Sequence, residues 1–463
     1  MKLNNKGFAI SGVLYSLLIL FVTLFIGILT ILASTKFSLD KVKNEINNKL
    51  ETLAYRDTIL NGADPVLKTG MIPVIIESDG TVRKADTTKK WYDYDAKMWA
   101  NAVTVSETNR SSYESADSGT IISETDILTY FVWIPRYRYR LWYVEALDEN
   151  TELDTTKVHS IDIVFESKNT AKSIGFENGQ YLTHPAFTFG DEEVNGIWVG
   201  KFETGYNGAT TTTDAEVETA DPFKVIIKPS TITTSVYSWR NINVSNMFYT
   251  ALGINSTGQT FGLNMDSDTH MMKNTEWGAV AYLSHSKYGK NSEVHINNNS
   301  GYMTGCGGDT VDEAGDTICK NQFGTKTDGI YNQSTTGNIS GIFDMSGGSQ
   351  EYVMGYTTNA TTQFGLSGFD STAFPGNKYL DTYVSTTDIQ YSNRILGDAT
   401  GEFGPFITNT NSWYGDYADW VDSEFPWFKR GGDWSSNINA GLFDFRSNTG
   451  AGSSENTFRI VIV

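Results

Sequence analysis

The chain has 463 residues, enough for more than one domain, and 13% aromatic residues with 43 Gly but only 9 Pro favour a folded, loop-rich body over disorder. Its formal net charge of −19 offers no basic face of the kind that nucleic-acid binding requires, so we expect no nucleic-acid partner.

The N-terminal segment is apolar and follows two lysines. Lys2 and Lys6 precede a stretch without any charged residue from Phe8 to Thr35. About 28 residues at ~1.5 Å rise each can cross the ~30 Å hydrocarbon core, and this stretch is longer than the apolar core of a cleaved signal. We therefore predict one membrane-spanning helix at residues 8–34, with the body outside the cell.

Residues 1–50 resemble a type IV prepilin, with a basic leader at 1–7, Gly7 directly before Phe8, and an apolar helix that runs into an amphipathic one. The resemblance implies cleavage after Gly7, methylation of Phe8 and packing with other pilus subunits. Gly12 stands where major pilins have a glutamate, so a minor or tip position, or a plain membrane anchor, fits better than a repeating subunit.

The helix is expected to extend to residue 60. Apolar residues recur at three- and four-residue steps, which places them on one face: Leu39, Val42, Ile46, Leu50 and Leu53. This pattern is typical of a pilin-type stalk, of a short coiled coil, or of a helix that packs on its own globular domain.

Residues 61–125 are predicted to form a small β-rich stalk or linker module. A turn at Asp79-Gly80 indicates a hairpin, and residues 107–125 have the polar composition of a linker. Four aromatics between Trp91 and Trp99 can pack onto a neighbouring domain, which is the commoner use, or stack on sugars.

The main domain is predicted to begin at residue 126 and to run to residue 463. Strands are expected at 130–144, 196–205 and in the closing run 458–463, and a helix with Asn274 or Thr275 as N-cap. The two cysteines, Cys306 and Cys319, bracket a polar segment and predict a disulfide if the protein is exported, or two free thiols if it is cytosolic.

Ordered motifs in this domain resemble the formylglycine-generating enzyme, or sulfatase-modifying-factor, family. They are Thr275-Glu276-Trp277, the run Gly341-Ile342-Phe343-Asp344-Met345 with Glu351-Tyr352, Arg430-Gly431-Gly432-Asp433-Trp434, and the closing Phe458-Arg459. The resemblance implies an α+β domain of the C-type lectin fold, rich in loops.

The residues that carry catalysis in that family are missing here. The oxidase members use two cysteines just after the Gly-Gly-Ser-Trp motif to bind copper, and residues 435–441 contain none. A serine hydroxyl is a poor substitute for a thiolate ligand. The five histidines (His159, His184, His270, His285, His295) lack metal-ligand spacing, and we interpret each as a surface residue. An extracellular oxidoreductase is therefore disfavoured, and we expect no enzymatic activity.

The C-terminal segment is interpreted as a polar loop held at both ends by strands. The same Gly-Gly-x-Trp and closing Phe-Arg frame the binding loop of the variable proteins of diversity-generating retroelements, which this segment resembles. The predicted binding face is Asp433, Trp434, Ser436, Asn437, Asn439, Phe443, Asp444, Arg446 and Asn448. The alternative is an ordinary surface loop.

Some family members bind structural calcium near Glu351, which keeps its carboxylate here, although Gly348 replaces a neighbouring Asn. The leading hypothesis is a non-catalytic, adhesin-like protein on the cell membrane or a pilus, whose main domain binds an extracellular protein or glycan. The alternative is a structural minor or tip pilin-like subunit.

Overall fold

The structure, a computed structural model, describes residues 5–141, 158–173, 181–358, 360, 364–384, 394–400 and 411–463. The chain divides into two compact units, Met1–Arg56 and Asp57–Val463. Residues 1–4 of the leader and the Phe8 side chain lie outside what is described. The fold is mixed α+β with one long apolar N-terminal helix, as the sequence predicts at that level.

The helices within the described residues are α1 (Asn5–Tyr55), α2 (Thr58–Asn61), α3 (Glu107–Ser115), α4 (Val244–Leu252) and α5 (Asn274–Ser284). Helix α3 lies in the segment that we interpreted as a linker. Helix α2 begins after Asp57, whose carboxylate accepts from the backbone N–H of Ile59 at 2.9 Å.

Helix α1 has the length and composition of a membrane span. It contains no proline, and Thr23 and Thr30 donate their hydroxyls to carbonyls one turn earlier at 2.8 Å. Such bonds satisfy polar side chains inside hydrocarbon. Its apolar window is 0% buried, unlike the core helix of a soluble protein. A signal sequence would pass the same test of length and hydropathy.

The strands are β1 (Ile72–Ile76), β2 (Val82–Lys84), β3 (Asn101–Val105), β4 (Ile127–Pro135), β5 (Tyr137–Arg140), β6 (Asp162–Phe165), β7 (Leu182–Thr183), β8 (Thr188–Phe189), β9 (Glu192–Glu193), β10 (Gly196–Gly200), β11 (Gly205–Tyr206), β12 (Val225–Ile226), β13 (Thr269–Met271), β14 (Gln350–Thr357), β15 (Asp381–Tyr383), β16 (Trp427–Gly431), β17 (Gly441–Asn448), β18 (Asn456–Phe458) and β19 (Ile460–Ile462).

The largest sheet has seven strands in the order β13-β19-β10-β4-β3-β1-β2. The predicted hairpin is present, because Ile76 pairs with Val82 across the Asp79-Gly80 turn. Strand β3 pairs with β4, so one sheet crosses the expected domain boundary at residue 126. Residues 61–125 thus share a sheet with the final strand of the chain, β19, and belong to the same compact unit.

A second sheet, ordered β15-β14-β16-β17 with β18 also paired to β14, carries the C-terminal segment. Strands β16 and β17 are antiparallel, with Lys429 opposite Arg446. The sequence interpretation of residues 435–457 as one loop is wrong for Gly441–Asn448, which forms β17. Leu442, Phe443 and Phe445 are β-formers with buried side chains, and their burial favours a strand.

Helix α5 follows β13 of the seven-stranded sheet and is bonded to β17 of the second sheet. Its N-cap is Lys273 rather than the predicted Asn274 or Thr275, and the Glu276 carboxylate accepts from the Lys273 N–H at 2.8 Å. The Trp277 indole donates to the Leu442 carbonyl at 2.8 Å, which ties the helix to β17.

Aromatic side chains fill the interior. Trp91 and Trp99 of the predicted aromatic patch are buried, and the Trp99 indole donates to the Tyr288 carbonyl at 2.8 Å, so this patch packs inside the unit. Arg136 is also buried, with its Nε 2.8 Å from Glu166.

Candidate functional site

The C-terminal segment leaves β16 through two consecutive glycines. Gly431 and Gly432 have φ angles of 84° and 70°, which L side chains rarely adopt. A Cβ atom on Gly432 would also lie 2.9 Å from the Cα of Ala440. The chain can therefore reverse tightly here and present residues 433–440 beyond the end of the sheet.

Asp433 organises the turn that follows. Its Oδ1 accepts from the N–H and hydroxyl of Ser435 at 2.9 and 2.7 Å, and its Oδ2 accepts from the Gln350 amide at 3.1 Å. Burial opposes the Asp433 charge, but the hydrogen bonds from Ser435 and Ser436 outweigh it and lower the pKa of this carboxyl. Asp433 therefore shapes the turn from within.

The predicted face separates into three groups by exposure. Asn437 and Asn439 are exposed, Trp434, Ser436, Arg446 and Asn448 are half-buried, and Asp433, Phe443 and Asp444 are buried. Ser435 and Ile438, which we did not predict, are exposed between these residues. The surface open to a partner is therefore the turn at 434–439, narrower than the sequence indicated.

Phe443 and Asp444 are corrections to the predicted face. The Phe443 ring lies 4.6 Å from the Trp413 ring between centroids, inside the core. Asp444 is fully buried, and burial raises the pKa of its carboxyl to about 6 despite the nearby Arg446 guanidinium. Both side chains therefore lie beneath the surface and are not available to a partner.

Arg446 and Asn448 are held by neighbours of their own. Arg446 lies 2.8 Å from Asp444 and donates to the Ser436 hydroxyl at 3.0 Å, so it links strand β17 to the turn. The Asn448 amide oxygen accepts from the Tyr352 hydroxyl at 2.5 Å. The Arg446 contact fixes the turn relative to β17, and the Asn448 contact joins β17 to β14.

Sequence reasoning missed the neighbours of Trp434. The Trp434 and Tyr302 rings pack in a T-shaped arrangement, with 6.4 Å between their centroids. The Cε3–Cζ3 side of the indole meets Gly315, where a Cβ atom would lie 2.2 Å from Cε3. These neighbours lie over a hundred residues away in sequence, and no local pattern signals the contact.

The loop that contains Gly315 is closed by a disulfide between Cys306 and Cys319, with 5.1 Å between the Cα atoms. Cys306 is buried, whereas the segment from Asp309 to Ile318 is largely exposed. The disulfide therefore attaches the end of this exposed segment, at Cys319, to the core at Cys306.

Glu351, the candidate calcium ligand, binds an arginine. Its two carboxylate oxygens accept from Arg459, with 2.9 Å between Nε and Oε2, and both side chains are buried. A metal ion at Glu351 would have to compete with this pair. Asp344, from the same motif, accepts from the Gly305 N–H at 2.9 Å, next to the disulfide.

Among the residues that the structure describes, no three His, Cys, Asp or Glu side chains are grouped as metal ligands. Our interpretation of all the histidines as surface residues is wrong for His184, His270 and His285, which are buried. Burial lowers the pKa of His285 to about 4, and its ring bonds the Tyr414 hydroxyl at 2.9 Å.

A groove of about 950 Å³ lies elsewhere, beside strands β8 and β9. Lys68, Lys168, Glu192 and Asp266 line it with both signs of charge. Burial lowers the pKa of Lys68, which the carboxylates of Asp268 and Asp266 only partly offset. None of the residues that line this groove belongs to the C-terminal turn, so the two are separate.

No protein-family model matches the chain, and no curated protein matches it. Two solved structures are similar to a limited extent. A structure of PvdO from Pseudomonas aeruginosa aligns with a TM-score of 0.29 and 11% identity, covering 75% of this chain and 99% of PvdO. The Major Tropism Determinant I1 variant aligns with a TM-score of 0.24 and 10% identity, covering 87% and 96%. At these TM-scores neither likeness supports an inference about this chain.

Proposed function

We propose that this chain is a non-catalytic ligand-binding protein of the cell surface, anchored in a membrane or pilus by α1, and that its turn at residues 434–439 binds an extracellular protein or glycan. The observation that carries the proposal is that the middle of the turn is exposed while the residues on either side of it are held in place. Asn437, Ile438 and Asn439 are exposed, while Asp433 and Arg446 hold the turn from both sides.

This arrangement suits recognition because the contact residues need little ordering when a partner binds. Asn and Ser side chains supply adaptable hydrogen bonds, and the half-buried Trp434 supplies a rigid aromatic edge. On the strength of the motifs we propose that the part of the body that contains them has the C-type lectin fold. The Trp277 bond to Leu442 and the Arg459 pair with Glu351 give those motif residues structural roles behind the turn.

The experiment uses the full-length chain in detergent micelles, applied to a printed glycan array and to intact bacterial and host cells. Asn437→Ala with Asn439→Ala should lose at least tenfold in apparent affinity. Asn207→Ala, an exposed Asn outside the face, is the matched control. Asn377→Ala, which lines the large groove, tests the other concavity. Binding that survives the paired change and is lost on Asn377→Ala would move the site to the groove.

A second candidate function is a structural minor or tip pilin-like subunit. The specific observation that favours it is the uninterrupted 51-residue helix Asn5–Tyr55, which continues well beyond the length needed to cross a bilayer. Purified filaments probed with an antibody to the body would contain this chain if the subunit hypothesis is right. A chain found only in washed membranes, with no filament fraction, would overturn it.

A further inference from the structure

We propose that the disulfide-closed loop 306–319 is the second wall of the C-terminal face, and that Gly315 positions Trp434 and thereby the exposed turn at 435–439. That residues 435–439 form a binding face rests on the proposed function. The positioning itself can be measured without any ligand, so its failure and the failure of that function are separate results.

Gly315 approaches Trp434 closely. A Cβ atom at 315 would lie 2.2 Å from Cε3 and 2.3 Å from Cζ3 of the indole, distances that real Cβ atoms do not show. Only glycine at this position lets the loop backbone rest against the ring. The contact is steric, since Gly315 is absent from the residues with positive φ.

Hydrogen bonds on both sides of Gly315 prevent the loop from moving away from the Trp434 ring. The Asp316 N–H donates to the Asn298 carbonyl at 2.8 Å, and the Ser300 N–H donates to the Asp316 carbonyl at 2.7 Å. The Asn298 amide also donates to the Ala314 carbonyl at 3.0 Å. These bonds fix both neighbours of Gly315 to the segment that leads to Tyr302.

The loop 306–319 is closed where its two ends meet. The Asn321 amide donates to the Gly307 and Gly308 carbonyls at 3.1 and 2.8 Å, directly beside the disulfide. Cys306 is buried, so the disulfide attaches the exposed segment that ends at Cys319 to the core. Without the bond, the loop has fewer constraints that press Gly315 on the ring.

Trp434 is itself held in place beside the exposed turn at 435–439. The Trp434 N–H donates to the Gly348 carbonyl at 3.0 Å, and the Tyr302 ring that meets its indole lies under the Arg240 guanidinium at 4.0 Å. Trp434 stands between Asp433 and the exposed residues of the turn. The backbone bond to Gly348 and the packing of the indole against Tyr302 and Gly315 therefore limit how the turn can project.

The test is hydrogen–deuterium exchange of the full-length chain in detergent micelles. Gly315→Ala should raise the exchange rate of the amides at 435–440 by roughly fivefold or more, because an added methyl in a packed contact must displace the ring. Gly376→Ala is the matched control, since its Cβ would meet no atom within 4 Å and its φ is not positive. Cys306→Ser with Cys319→Ser should raise exchange in the same peptide.

A double-mutant comparison decides whether the effect passes through the indole. Trp434→Leu alone should loosen the turn, and adding Gly315→Ala to it should change exchange no further. This comparison also covers general destabilisation by Gly315→Ala, because removing the large ring should then rescue the fold. Unchanged exchange at 435–440 in Gly315→Ala, or an undiminished effect in the Trp434→Leu background, would overturn the proposal.

Discussion

The Arg459 guanidinium binds both carboxylate oxygens of Glu351, and neither side chain is exposed to solvent beyond 1%. The pair joins the end of β18 to β14, directly behind the C-terminal turn. Removing one partner of a buried ion pair leaves the other charge without compensation.

Glu351→Gln should therefore lower the free energy of unfolding by roughly 3–5 kcal/mol, measured by urea denaturation of the detergent-solubilised chain. The control is Glu77→Gln, which breaks the exposed pair with Arg83, where the side chains are 45% and 37% exposed. That change should cost about 0–1 kcal/mol. Equal losses of unfolding free energy in the two variants would show that the buried pair stabilises the fold no more than the exposed pair does.

Asp344 should make stability fall as pH rises. Burial raises the pKa of its carboxyl from 3.8 to about 7, although Arg459 opposes the shift. The folded state holds this proton where the unfolded state loses it, so stability declines between about pH 4 and pH 7. Burial raises the pKa of the neighbouring Glu203 as well, which acts in the same direction.

Asp344→Asn should remove roughly 1–3 kcal/mol of that decline, measured as the unfolding free energy at several pH values. Asp312→Asn, on the exposed part of the disulfide loop, should leave the profile unchanged. A profile as steep in Asp344→Asn as in the parent chain would contradict the assignment.

The turn should separate residues that make contacts from residues that hold shape. Asn437→Ala and Asn439→Ala should each change the unfolding free energy by less than about 0.5 kcal/mol, because both side chains are exposed. Asp433→Ala should cost about 1–3 kcal/mol, because it removes the acceptor for Ser435 and Gln350. Thermal melts of the three variants check this, and a neutral Asp433→Ala would mean that the turn forms without its carboxylate.

Helix α1 should keep the protein in the membrane. The wild-type chain should remain in carbonate-washed membranes, and a chain that lacks residues 8–34 should be recovered in the soluble fraction. Edman sequencing of the membrane form distinguishes an intact Met1 from a mature Phe8. A soluble wild-type product shortened by most of α1 would identify the segment as a cleaved signal instead.

Elements with a strong local signal were predictable. The apolar helix, the Asp79-Gly80 hairpin and the closing strand follow from runs of residues whose spacing matches one secondary structure. A polar loop after Gly431-Gly432 was predictable from composition, but the tight reversal at the two glycines follows from their positive φ angles in the structure.

The errors lie where a residue's environment comes from distant segments. Phe443 and Asp444 read as part of a polar loop, but Trp413 and the Arg446 side chain enclose them. His270 read as a surface residue, although it is buried and bonds Glu276 at 3.0 Å. Burial depends on which strands meet, and a period of two or of 3.6 residues carries no information about that.

The sequence by itself determined that one helix can span a membrane, that the body is a loop-rich α+β structure, and that the chain closes on a strand. Only the tertiary structure decided which residues of the C-terminal segment face outward, that residues 61–125 share a sheet with β19, and that Gly315 meets Trp434. The first set depends on backbone preferences and hydrophobic patterns along the chain. The second depends on packing between segments that are separate in sequence, where shape and volume must fit together.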